Sequence, residues 1–133
     1  MEPDNVISAT NLTKHYNNLV AVDGISFAIR QKECFGFLGP NGAGKTSTMK
    51  MISCISPVTE GDLWVDGKDV HHNQRAIKSV LGVVSQADSI DSDLSVIQNL
   101  LSFGRIFNLP NDTASHRAWE ALELFHLMDR ARD

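Results

Sequence analysis

The sequence predicts an α/β fold, and three observations carry that prediction. Two loosely alternating apolar runs open the chain and read as strands. An apolar strand, a glycine-rich loop and a helical pattern then follow in immediate succession. Two runs with apolar residues three to four apart come after Gln86. At 133 residues and 42 % hydrophobic, the chain can bury one ordinary core. The expected organisation is a core over residues 1–86 with an N-terminal antiparallel β part, then the start of a helical subdomain over 87–133.

In chain order, Val6–Tyr16 reads as the first strand and ends in the polar turn Tyr16-Asn17-Asn18. Val20–Ile29 reads as the second, with Ile25, Phe27 and Ile29 on one face and Asp23-Gly24 marking a bulge or short turn. Arg30–Glu33 is a charged turn. Cys34–Leu38 is apolar on both faces, the pattern of a central strand covered on two sides. Its helix is expected from Lys45 to Cys54, stopped near Ser56-Pro57. Leu63–Val65 is a further strand closed by the hairpin signal Asp66-Gly67. A short helix around Asn73–Ser79 leads into Leu81–Gln86, a second buried strand.

Beyond the acidic stretch Ala87–Asp93, the residues Val96, Leu100, Phe103 and Phe107 share one helix face, with Leu100, Phe103 and Phe107 read as core, ended by Asn108-Leu109-Pro110. Asp112 or Thr113 is expected to cap a last helix. Its core stripe is Ala118, Leu122 and Phe125, with Trp119 and Leu127 beside it.

The chemistry lies in Gly39-Pro40-Asn41-Gly42-Ala43-Gly44-Lys45-Thr46, which fits G-x-x-x-x-G-K-[ST] between a strand and a helix. Glycines let successive backbone N–H groups face phosphate oxygens, and the helix start adds its unsatisfied N–H groups and positive dipole end. The dipole is worth only about 0.3–2 kcal/mol, so wrapped amides, the Lys45 ammonium and a metal ion must supply most of the grip. A lysine opening a helix opposes the dipole, which argues for an anion partner. Lys45 is the expected cation for the β- and γ-phosphates, Thr46 the expected hydroxyl ligand of Mg²⁺. Asn41 tolerates left-handed backbone and can donate to phosphate.

Composition narrows the partners. Net charge is −4 with both signs interspersed and no basic run, so no nucleic acid is expected as a partner. No apolar stretch is long enough to span a bilayer, and Met1-Glu2-Pro3-Asp4 has no signal-peptide pattern. Cys34 and Cys54 lack metal or redox spacing and read as small core hydrophobes of a reducing compartment. Asp88, Asp91 and Asp93 fail the calcium-loop pattern because Val96 stands where glycine is needed, and read as a solvated loop. His71-His72 reads as an exposed turn.

With these motifs assembled, the chain resembles the nucleotide-binding subunit of ATP-binding cassette transporters. The carriers are GPNGAGKTS after CFGFLG, the upstream LTKHYNNLVAVDGISFAI and the downstream GVVSQADSIDSDLSVIQNL. The spelling, with FGRIFNL following, is most similar to exporters of the drug-resistance and nodulation-factor type. The resemblance implies a P-loop NTPase core binding ATP and Mg²⁺. Tyr16 would stack on the adenine, and Ser47 would reach an α-phosphate oxygen. Gln86 would ligate Mg²⁺ through its amide oxygen and hold the attacking water. It also implies a membrane permease and a second copy of the subunit as partners, in a head-to-tail dimer on the inner face of the cell membrane.

Two departures qualify this. Arg30-Gln31-Lys32-Glu33 lacks the family's glycine before the glutamate. The sequence stops at Asp133, about where an LSGGQ-type signature would begin, so the signature, the catalytic glutamate and the switch histidine have no counterparts here. The expectation is therefore a chain that binds nucleotide but hydrolyses it poorly. The aspartate-bearing strand that flanks Cys34–Leu38 in the family is absent too, which would leave an unpaired apolar edge that pairs with another copy or lowers stability. The alternatives are a cassette ATPase of DNA repair or translation and a non-catalytic nucleotide-binding module.

Overall fold

The computed structural model describes residues 4–84 and 90–133. The chain divides into two compact units, Met1–Val83 and Val84–Asp133.

The first unit is built on an antiparallel sheet. Its strands are β1 (Asn5–Tyr16), β2 (Leu19–Arg30), β3 (Glu60–Val65) and β4 (Lys68–Asp69), ordered β2-β1-β3-β4. Ala9 of β1 lies opposite Phe27 on one side and Leu63 on the other. Asp23-Gly24 does form a bulge. Leu12 pairs with Ile25 but Lys14 with Val22, so β2 carries one extra residue, and the Gly24 N–H donates to the Thr13 hydroxyl at 3.1 Å. Asp66 and Gly67 both have positive φ (50° and 69°), the geometry whose twist matches an antiparallel hairpin.

One face of the sheet packs on α1 (Lys45–Ile52) and α2 (Gln74–Lys78). Leu12, Leu63, Met51 and Ile77 are fully buried there, with Ala9, Val22, Ile52 and Val65 around them. Helix α1 ends earlier than the proline suggests. Cys54 takes a left-handed φ of 55°, and the N–H groups of Cys54 and Ile55 donate to the carbonyls of Met51 and Lys50. That paired closure stops the helix two residues before Cys54.

Two expected strands are absent. Cys34–Leu38 and the described part of Leu81–Gln86, residues 81–84, have no regular secondary structure. Leu38 is 96 % exposed and Val84 fully so, where burial on both faces was expected. The physical reason is pairing. A strand forms when a neighbour offers its free N–H and C=O groups, and among the described residues none does so for either run. Phe35 and Phe37 instead cluster with Phe27 of β2, with ring centroids 5.9 and 5.2 Å from it.

The second unit contains α3 (Val96–Ile106), α4 (Asn111–Leu124) and a short 3₁₀ turn at Met128–Arg130. Ser95 and Gln98 form a reciprocal capping box that starts α3. Asn108, at φ 54°, ends it in the same way as Cys54 ends α1. Helix α4 starts at Asn111 with Pro110 at its N-cap, two residues ahead of Asp112, the earlier of the two expected caps, and no side chain caps it. A Cβ on Gly104 would lie 2.7 Å from that of Ala114, so the two helices meet through small residues. Ala114, Ala118 and Leu122 are buried. Phe103, Phe107, Trp119 and Phe125, expected in the core, are instead exposed. Close contact at Gly104 and Ala114 leaves no room for a large side chain at that crossing.

Candidate functional site

The glycine-rich loop is seated directly on the sheet. Gly44, the N-cap of α1, has φ 82°, and a Cβ there would meet the Ala21 carbonyl oxygen at 2.3 Å and Val22 Cγ2 at 3.0 Å. Only glycine permits both that backbone conformation and that approach to β2.

From Gly44 the helix begins without a side-chain cap and without an acidic residue in its first turn. The Thr48 N–H and hydroxyl both donate to the Gly44 carbonyl, at 2.9 and 3.0 Å. The N–H groups of Lys45, Thr46 and Ser47 have no partner within the helix, as the geometry of a helix start requires. The Lys45 ammonium arches back over the loop and donates to the carbonyls of Gly39 and Pro40, both at 2.7 Å. The result is a loop of backbone bridged by one cation, next to a helix start whose first N–H groups have no partner within the helix. That arrangement suits a multiply charged anion.

The side chains just beyond Lys45 differ in their commitments. Thr46 is exposed, and among the described residues its hydroxyl has no hydrogen-bond partner. A neutral oxygen beside a phosphate cradle fits the oxygen-ligand chemistry of Mg²⁺, and Thr46 is the residue that would hold it. Among the described residues no three His, Cys, Asp or Glu side chains gather into a metal site. Asp91 is engaged locally, its carboxylate accepting from the Asp93 N–H and its own N–H donating to the buried Asn99 side chain.

Tyr16 closes β1 and is 41 % exposed. Its hydroxyl lies 3.5 Å from that of Ser56. The phenol is held below the ordinary tyrosine range by the Ser56 hydroxyl first and the Ser47 hydroxyl next. Burial opposes this, while the Lys14 and Lys50 charges add to it. The influence of Ser47 links the ring to the first turn of α1. Tyr16, the loop Gly39–Gly44, Lys45, Thr46 and Ser47 therefore belong to one unit of structure. Gln86 lies outside the described residues.

Sequence reasoning missed three neighbours of the site. Ala21 and Val22 seat Gly44, and nothing in their identity signals it. Lys14 sits beneath Tyr16, and here a signal existed, since residues two apart on a strand share a face. A cleft of about 230 Å³ lined by Met51, Cys54, Ser56, Val70, His71 and Gln74 includes no residue of the loop. Gly39–Ala43 of the loop are exposed.

The ABC transporter family model matches residues 22–133. The chain belongs to the ABC transporter family. Among curated relatives, it is 39 % identical to a Nod factor export ATP-binding protein I of Ralstonia nicotianae, over 95 % of this chain and 39 % of the relative. It is 37 % identical to the linearmycin resistance ATP-binding protein LnrL of Bacillus subtilis, over 96 % of this chain and 41 % of the relative. The exporter type expected from the motif spelling agrees with both names. The chain thus spans about two fifths of the length of these relatives. Of solved structures, cbiO1 from Clostridium perfringens, part of the ABC transporter complex cbiONQ, aligns with a TM-score of 0.82. The identity is 25 %, over 98 % of this chain and 54 % of that one. A dimeric ATP-binding cassette bound to ADP and Pi shares the fold, with a TM-score of 0.80 over 95 % of this chain and 60 % of that one, at 22 % identity.

Proposed function

We propose that Gly39–Ser47 binds the phosphates of Mg·ATP and that the whole protein is the ATP-binding subunit of an exporter. The observation that carries this reading is the Lys45 ammonium, held by two loop carbonyls over a helix start whose first N–H groups are free. An incoming triphosphate replaces those carbonyls as the stronger, charged acceptor. Gly39, Pro40, Asn41, Gly42, Ala43 and Gly44 wrap the β- and γ-phosphates, with backbone N–H groups from the residues other than Pro40, which has none, and Thr46 would hold Mg²⁺. Ser47 takes an α-phosphate oxygen and Tyr16 stacks on the adenine.

Hydrolysis would use water as the nucleophile, with Lys45 holding charge on the transferred phosphoryl group; a Mg²⁺ held by Thr46 would supply further charge neutralisation there. Gln86 orients that water and contributes to the metal site. The names of the relatives support export through a membrane permease. The dimeric cassette among the similar structures supports a second copy as partner. Among the described residues no helix is long and apolar enough to cross a membrane, which is compatible with a peripheral subunit held at the cytoplasmic face by its permease. Residues 1–86 serve as the nucleotide-binding part and 87–133 as the start of the helical one.

The test is calorimetric titration of the 133-residue chain with Mg·ATP, beside Lys45→Ala. The parent binds and releases little phosphate; the substituted chain loses detectable binding. Equal affinity in the two chains would overturn this assignment.

A further inference from the structure

Lys14 is an unusual lysine. It is 5 % exposed, although ammonium groups are rarely buried without a specific partner. Its Nζ donates to the Pro57 carbonyl at 2.6 Å and lies 4.9 Å from the centre of the Tyr16 ring. The first contact ties the end of β1 to the segment after α1. The second is a cation held against an aromatic face, within the range where the attraction is felt. The far end of the same ring is steadied by the Ser56 hydroxyl, in the residue just before Pro57. The ring is thus fixed at two points, and one of its faces is taken.

We infer that Lys14 is a positioning residue for the nucleotide base: it fills one face of the Tyr16 ring, holds the ring against the Ser56–Pro57 segment, and so presents only the opposite face for stacking. A ring fixed before the ligand arrives loses less freedom on binding, which raises affinity without any contact between Lys14 and the nucleotide. The cation also draws electron density from the ring, which favours stacking on an electron-rich purine. The effect belongs to the base and leaves the phosphates alone. This inference rests on the reading that Tyr16 faces the adenine.

The test compares Lys14→Met, which keeps the stem and removes the charge, with Lys14→Arg and the parent. Two ligands are titrated, Mg·ATP and Mg-tripolyphosphate, which has phosphates and no base. We expect Lys14→Met to weaken ATP binding about fivefold with tripolyphosphate unchanged, and Lys14→Arg to recover most of the loss. Tyr16 is the chain's one tyrosine, so its phenol can be titrated by ultraviolet absorbance with no nucleotide present. Removing the nearby cation should move that titration upward. Equal weakening for both ligands would show a merely structural role and overturn the inference, as would an ATP affinity within twofold of the parent. A parent chain that binds neither ligand would count against the ATP site itself. The phenol titration would then decide the Lys14–Tyr16 contact alone, an unmoved phenol overturning it.

Discussion

Two apolar runs only a few residues apart meet opposite fates. Ile25–Ile29 lies within β2, paired along its length with β1, and Ile29 is buried. Cys34–Leu38 is at least as apolar, yet it forms no strand and exposes Leu38 almost completely. The difference lies in the partner. β1 sits next to β2 in sequence, joined by the Asn17-Asn18 turn, so the loop to be closed is minimal. A parallel partner for Cys34–Leu38 would need a long crossover, and the described residues provide none. Apolar composition makes a strand possible, while a neighbouring edge makes it real.

The comparison can be broken most sharply through the two thiols. Cys34 is exposed and Cys54 is buried, and burial pushes the Cys54 thiol up. A thiol reagent near neutral pH should modify one group promptly and the second only on unfolding, because the thiolate is the reactive form. Two slow thiols would mean that the Cys34–Leu38 run is covered in solution, by a second copy for instance.

Next in size is a pair of truncations followed by chemical denaturation. Ile29→Ala should cost about 2–5 kcal/mol, whereas Leu38→Ala should cost less than about 0.5 kcal/mol. Similar costs for the two would show that Leu38 has a packing partner.

The smallest expected effect joins the two regions. A double-mutant cycle on Phe27 and Phe37 should give a coupling of about 0.5–1.5 kcal/mol from their edge-to-face contact. Zero coupling would separate the run from β2 altogether.

Much of the candidate site was legible. The spacing of Gly39, Gly44, Lys45 and Thr46 marks a loop between a strand-like run and a helix, and the helix begins at Lys45 as that motif requires. The bulge at Asp23-Gly24 and the turn at Asp66-Gly67 were legible too, since each rests on residues that tolerate unusual backbone angles. The large side chains of α3 and α4 were misassigned to the core. Helical spacing reports that Phe103, Phe107 and Phe125 share faces, and says nothing of which face a neighbour covers. That choice fell to Gly104 and Ala114, whose small size sets the approach.

By itself, then, the sequence determined the glycine-rich loop, its helix, the hairpins and the family, because these depend on residues close together in the chain. Tertiary structure decided the rest. It set Gly44 against the backbone of β2, placed Lys14 under Tyr16, and gave Cys34–Leu38 no strand to join among the described residues. Each of these depends on groups far apart in sequence, and no local pattern records who will stand beside whom.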